Sequence, residues 1–228
     1  MAKKKTEQVD NLQELESALT KTEQLIEDNQ KIITYVVGGV ILVVAAYLGF
    51  NKFYLQPKEV EANSQMFMAE NYFEKDSFNL AINGDGNYLG FLDIADEYGI
   101  TKAANRANYY LGISYLHLGQ FEDALDYLNG FKTKDILLAP VVEGAKGDAY
   151  LELGEADNAL KQYKKAFSIS DNKLTAPVYM MKAAKLLESQ DELETAMKLY
   201  QDIKEKYPES QEATTVDRYI ARVKIKLD

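Results

Sequence analysis

Few residues in this sequence are placed to do chemistry. Asn83, Asp85 and Asn87 alternate with Gly84 and Gly86, and alternating oxygen side chains can surround a hard cation such as calcium. The spacing rejects that reading. An EF-hand loop counted from Asn83 needs glycine where Tyr88 stands and a bidentate glutamate where Ile94 stands. A dinucleotide loop would need its third glycine at Leu89 and a strand before it. A glycine turn is therefore expected. His117 is the single histidine; one imidazole builds no zinc site, and no nucleophile or acid is marked as its partner. There is no cysteine, which removes disulfides, thiolate metal sites, cysteine nucleophiles and cysteine-linked lipid anchors together. Most of the sixteen tyrosines read as packing residues. No catalytic residue, metal or cofactor is assigned, and an enzyme is not expected.

What remains to be positioned is a surface, and the element that would position it is apolar. Residues 32–50 carry no charge. As a helix they would be ~28 Å long, close to the roughly 30 Å hydrocarbon core of a bilayer. Tyr35 at one end and Tyr47, Phe50, Phe53 and Tyr54 at the other supply interfacial rings, and Lys31 and Lys52 bracket the run. The run is too long for a secretory signal, and no small-residue cleavage site follows it. A single retained transmembrane helix over 32–51 is expected. Lys3, Lys4, Lys5, Lys21 and Lys31 precede it, which points the N-terminus into the cytoplasm and the remainder to the far side.

Charge divides along the same line. The chain has 228 residues and a formal charge of -10. Its first 58 residues hold seven basic and seven acidic side chains, so the whole excess falls in the remaining 170. An acidic domain repels phosphate backbones, and no nucleic-acid partner is expected on that ground. Residues 1–31 form a cytoplasmic tail. Within it the stretch 7–30 lacks Gly and Pro and predicts an amphipathic helix, with a short heptad seam through Leu12, Leu15, Leu19 and Ile26. Pro57 is expected to end the extension of the membrane segment, with helix resuming near Glu59.

Residues 59–228 repeat themselves. Segments 105–136, 140–171 and 177–208 align without gaps. Their eighth residues are Gly112, Gly147 and Ala184, and their twentieth are Ala124, Ala159 and Ala196; small side chains there let two antiparallel helices approach closely. Large residues stand beside that contact, at Tyr115, Tyr150 and Leu187 and at Leu128, Tyr163 and Tyr200. Gly119 and Gly154 fall where the first helix must stop, and Pro140 and Pro177 where the next begins. A diverged pair over 59–100 repeats the spacing with Ala69, Tyr72 and Ala81, interrupted near residues 83–87. Residues 210–228 predict a terminal capping helix. Ser210 stands at its start, and Val216, Tyr219, Ile220, Val223 and Leu227 form its apolar stripe, opposite an expected wet face of Asp217, Arg218, Arg222, Lys224 and Lys226.

These segments resemble tetratricopeptide (TPR) repeats, helical hairpins that stack into a solenoid. The resemblance implies an all-α fold: an N-terminal helix, one membrane helix, then a TPR solenoid with its cap. It also implies a concave protein-binding groove lined by the first helix of each pair. By register the groove would present Met66, Glu70 and Phe73; Arg106, Tyr109, Ile113, Leu116 and His117; Val141, Asp148, Leu151 and Glu152; and Val178, Met181, Lys185 and Glu188. Met and aromatic side chains among carboxylates suit apolar segments, basic ones included. The carboxylate clamp with which some TPR proteins grip chaperone C-termini is missing, because Tyr109, Tyr110 and Ile113 stand where its Lys and Asn would be. The competing reading is that these residues pack against the chain's own terminal helix.

The layout, with the stretches NGDGNYLGFLDIADEYGITKAANRANYY (83–110) and YPESQEAT (207–214), is similar to the bacterial ancillary SecYEG translocon subunit family, the YfgM-like proteins. That resemblance implies a single-pass inner-membrane protein with a periplasmic TPR domain. Its implied partners are proteins: a SecYEG-type translocon, a periplasmic chaperone and exported clients, with no small-molecule substrate. Two rivals are a scaffold for envelope assembly or division, and a cytosol-facing TPR import receptor of reversed topology.

Overall fold

A computed structural model describes residues 27–228, and the described residues contain helices and no strand. The predicted N-terminal helix and most of its heptad seam lie outside them. The chain divides into two compact units, one ending at Pro57 and the other covering Lys58–Asp228.

In the first unit, helix α1 spans Gln30–Phe50 and none of its residues is buried. Leu42 is 72% and Val43 70% exposed. By length and composition the helix is able to cross a membrane. A π-helical turn follows at Asn51–Leu55, and α2 (Gln56–Glu74) begins directly after it. Pro57 thus sits in the first turn of α2 instead of ending a helix two residues before the next. Proline is tolerated there, because its missing N–H has no intrahelical role in a first turn. The wide π turn, in which the Gln56 N–H reaches back to the Asn51 carbonyl, adds room before the ring.

The second unit is a stack of helical hairpins. Helix α2 is followed by the short α3 (Phe78–Asn83) and α4 (Phe91–Glu97). Three regular pairs come next: α5 (Lys102–His117) with α6 (Phe121–Gly130), α7 (Leu138–Glu152) with α8 (Ala156–Ile169), and α9 (Ala176–Ser189) with α10 (Leu193–Lys206). Helix α11 (Ala213–Leu227) packs on α10. Each pair contacts the next, through α4 on α5, α6 on α7 and α8 on α9. Apolar clusters run through the stack, with Ala69, Ala81, Phe91 and Leu111 at one end and Ala184, Ala196, Tyr200 and Val216 at the other.

The alignment acquires physical content at each shared position. Ala124, Ala159 and Ala196 are fully buried. A methyl group added at Gly112 would meet Leu128 Cγ at 2.5 Å, and one at Gly147 would meet Tyr163 Cε1 at 2.5 Å, so the small eighth residue receives the large twenty-fourth one. The fifteenth residue of every unit has a left-handed backbone: Asp76 (φ 55°), Gly119 (73°), Gly154 (77°) and Asp191 (60°). The next residue's N–H then closes on the eleventh residue's carbonyl, Ser77 to Tyr72, Gln120 to Tyr115, Glu155 to Tyr150 and Glu192 to Leu187, at 2.8–3.0 Å. This six-residue closure is the Schellman stop of a helix. Its presence at Asp76 ties the diverged first pair to the same register.

Interhelix loops are fixed by side-chain caps. Asp135 Oδ1 accepts from the Leu137 and Leu138 N–H groups, and those bonds hold its carboxyl below the usual range. Asn172 does the same for Leu174 and Thr175 one repeat later. Ser210 Oγ accepts from Ala213 N at 3.2 Å and caps α11. In the 83–87 turn, Asp85 Oδ1 accepts from Asn87 and Tyr88 N–H, and its other oxygen accepts from the Tyr72 hydroxyl at 2.7 Å. Asp85 is an organiser of that turn: the Tyr72 hydroxyl first, then the backbone donors, hold its pKa down.

Candidate protein-binding groove

Three shallow hollows lie along the C-terminal ends of the first helices and share walls. The first, about 460 Å³, is lined by Leu116, His117 and Phe121 on the α5–α6 turn and by Asp148, Leu151 and Glu152 on α7. The second, about 310 Å³, takes up Asp148 and Leu151 again and adds Tyr163, Lys182, Lys185 and Leu186. The third, about 300 Å³, continues from Lys185 to Glu188, Arg222 and Lys226. A strip therefore runs from the first regular repeat to the terminal helix.

Its centre is a locked polar cluster. The Tyr163 hydroxyl donates to Asp148 Oδ1 at 2.7 Å, and Lys182 Nζ donates to both oxygens of Asp148 at 2.6 and 2.7 Å. Lys182 also lies over the Tyr163 and Tyr179 rings at 5.7 and 5.8 Å. Burial, then Asp148, pushes the Tyr163 phenol far above its ordinary value, and burial pushes Tyr179 up to about 12. Both phenols stay neutral, Tyr163 as a donor to Asp148 and Tyr179 as a packing surface. Leu151, 42% exposed, forms an open apolar step beside this cluster.

The residues expected in the groove divide into three groups. Met66 (1% exposed) and Met181 (6%) are core residues, closed off because α5 and the last helices pack over them. Phe73 is half-buried among Phe78, Phe91 and Tyr110. Arg106 bonds Asn63 across to α2, with Met66 Sδ at 3.6 Å. Tyr109 leans on Phe131, and Ile113 and Leu116 pack on the Leu128, Phe131 and Val142 cluster. Val141 is half-buried, and Val178 packs on the Tyr163 cluster. His117 is exposed, its ring stacked on Phe78 at 4.5 Å. Leu116, His117, Asp148, Leu151, Glu152, Lys185 and Glu188 are the expected residues that line the hollows.

Glu188 lines the third hollow but is held by the chain's own side chains. It is 5% exposed and gripped by Arg222 at 2.6 and 2.7 Å, Lys226 at 3.0 Å and the Tyr200 hydroxyl at 3.2 Å. Burial opposes its charge, but the Arg222 and Lys226 bonds together hold its pKa below the usual carboxylate range. The charged face of α11, expected to be simply wet, turns partly onto α9. Sequence reasoning did not single out Tyr163, Lys182, Leu186 and Ser189 for this site, nor the roles of Arg222 and Lys226. The available signal was the four-residue spacing of Arg218, Arg222 and Lys226.

No grouping of His, Cys, Asp or Glu able to hold a metal occurs among the described residues, and the strip pairs no nucleophile with a base. It offers contact surface: apolar steps, neutral phenols and fixed charges.

Two tetratricopeptide repeat family models match, over residues 93–135 and 179–210. No curated protein sequence matches this one. Among solved structures, the chain is similar to a single-substitution form of a Podosopora anserina putative kinesin light chain with nearly identical TPR-like repeats, with TM-score 0.54 and 13% identity over 72% of this chain and 84% of that one. The same protein without that substitution matches with TM-score 0.54 and 13% identity, over 72% and 85%. At that identity the likeness is one of fold. The chain carries tetratricopeptide repeats, an architecture that serves protein–protein contact.

Proposed function

We propose that this protein is a membrane-tethered TPR interaction module of the bacterial envelope. It stands beside a SecYEG-type translocon, with its repeat domain in the periplasm, and receives extended segments of exported proteins or of a partner chaperone. The observation that carries the reading is the strip of three wall-sharing hollows across successive repeats, long enough for an extended chain to touch several repeats at once. The unburied apolar helix α1 supplies the tether, and the lysines of the tail favour a cytoplasmic N-terminus. Tethering confines the strip near the translocon exit and raises the effective concentration of emerging clients.

The test is mild detergent extraction of the full chain tagged after Asp228, with protease added to spheroplasts in parallel. Co-purification of translocon subunits and digestion of the repeat domain from outside are expected. A repeat domain protected from external protease would favour the cytosol-facing receptor instead. Periplasmic exposure without translocon, chaperone or client would favour the scaffold.

A further inference from the structure

The chain as a whole is acidic, with a formal charge of -10, yet the sign reverses at the far end of the strip. Helix α11 sets Arg218, Arg222 and Lys226 one turn apart, and α9 adds Lys185. Three of these cations converge on one ring: Lys185 Nζ lies 5.1 Å, Arg218 Cζ 4.9 Å and Arg222 Cζ 4.8 Å from the Tyr219 centroid. Glu188 is the carboxylate within this group, and it is already taken by Arg222 and Lys226. Lys185 and Arg218 have no carboxylate among the described residues. Their partner is Tyr219, through its ring face and, for Arg218, its hydroxyl at 3.1 Å.

Like charges held this close repel, and a ring face offsets only part of that repulsion. The geometry is therefore unfinished without an anion. The hollow of about 300 Å³ lined by Lys185, Glu188, Ser189, Arg222 and Lys226 is where one would sit. Lys185 and Ser189 are also walls of the neighbouring hollow, whose other surfaces include Leu151, Leu186 and Tyr163. An anionic seat thus adjoins an apolar one. Guanidinium donors suit the flat, two-oxygen geometry of a carboxylate.

We propose that the occupant is an acidic segment of a partner protein, its Asp or Glu carboxylate seated on Lys185 and Arg222, with Arg218 beside them at the Tyr219 ring and an adjacent apolar side chain over Leu151 and Leu186. The inference rests on the groove reading above and gives it a chemistry: a partner with acid next to an apolar residue, in place of the basic segments that the groove's own carboxylates suggested. Asp148 and Glu188 do not serve a basic partner because each is satisfied from within the chain. A flat anionic lipid surface fits less well, since the charge borders a concave apolar hollow.

The test measures anisotropy of a short, neutral-dye-labelled peptide of Leu, Ser and Glu, and of its twin with Gln for Glu, against the full chain in uncharged detergent micelles. The expected result is about tenfold tighter binding of the acidic peptide. That advantage should shrink at high salt, vanish in Lys185→Gln/Arg218→Gln and persist in Lys161→Gln on α8. Neither substituted residue at the cluster pairs with a carboxylate, so the fold is retained, which circular dichroism checks. Equal binding of the two peptides, both lost in Leu151→Asp, overturns the inference and leaves the groove reading standing. Failure of both peptides to bind the unsubstituted chain overturns the groove reading as well. Phosphatidylglycerol vesicles that bind through Lys185 and Arg218 while acidic peptide does not would assign the cluster to lipid and overturn the proposal.

Discussion

Gly144 tests how tightly the repeats are keyed together. A methyl group at this position would lie 1.9 Å from Tyr179 Cε1, 2.2 Å from Cζ and 2.6 Å from the hydroxyl. Aromatic carbons normally keep more than about 3.4 Å from such a group, so Gly144→Ala forces the ring to move by more than an ångström. Tyr179 has little room to do so: it is 8% exposed and packs with Tyr163, Ala183 and Leu186. Overpacking of this kind costs about 1–3 kcal/mol, and a clash this short belongs at the upper end. Alanine in place of a mid-helix glycine returns up to about 1 kcal/mol. The net expectation is a loss of about 2 kcal/mol. With a urea slope of about 2 kcal/mol/M, that lowers the unfolding midpoint of the full chain in detergent by about 1 M. Gly130→Ala is the internal control, because its new methyl would lie 3.7 Å from Asn108, an ordinary contact, and no loss is expected. If Gly144→Ala unfolds at or above the unsubstituted midpoint, α7 and α9 are not packed through this notch and the inter-repeat geometry is wrong.

Other substitutions read different parts of the stack. Asp191→Gly relieves a left-handed aspartate and should raise stability by about 0.5–1 kcal/mol, read as a higher urea midpoint. Glu188→Gln should cost about 1–2 kcal/mol at neutral pH, a figure reduced because Arg222 and Lys226 are half exposed. Since the folded pKa of Glu188 is lowered, its stabilisation is complete above the ordinary carboxylate pKa of about 4.3 and is lost as pH falls through the folded value. The variant should lose that part of the acid sensitivity in a pH series of melts. Ser210→Ala removes the α11 cap bond and should cost about 1 kcal/mol, seen as faster hydrogen exchange in α11 than in α9.

Side-chain volume made the repeats legible. A pair of helices in close contact demands small residues at fixed positions and large ones beside them, and Gly112, Ala124, Leu128 and their counterparts wrote that demand into the chain in register. The helix stops were readable where they are glycine, at Gly119 and Gly154. They were hidden at Asp76 and Asp191, because aspartate tolerates the left-handed region without advertising it. The groove was harder. A repeat register says that Met66 and Met181 point away from their own partner helix, but not that a neighbouring helix closes over them. The charges of α11 looked like a solvated face because their carboxylate, Glu188, lies 34 residues before Arg222. Which charges remain over after pairing is a property of the folded stack, and it is this remainder at Lys185 and Arg218 that gives the strip its polarity.

The most direct measurement is photocrosslinking in living cells with a reactive residue at Leu151, the open apolar step of the strip, and a matched probe at Lys161 on α8. Leu151 is expected to capture an identified translocon subunit, periplasmic chaperone or exported chain while Lys161 does not. Equal yields from the two positions, or capture of such partners at Lys161 alone, would contradict it.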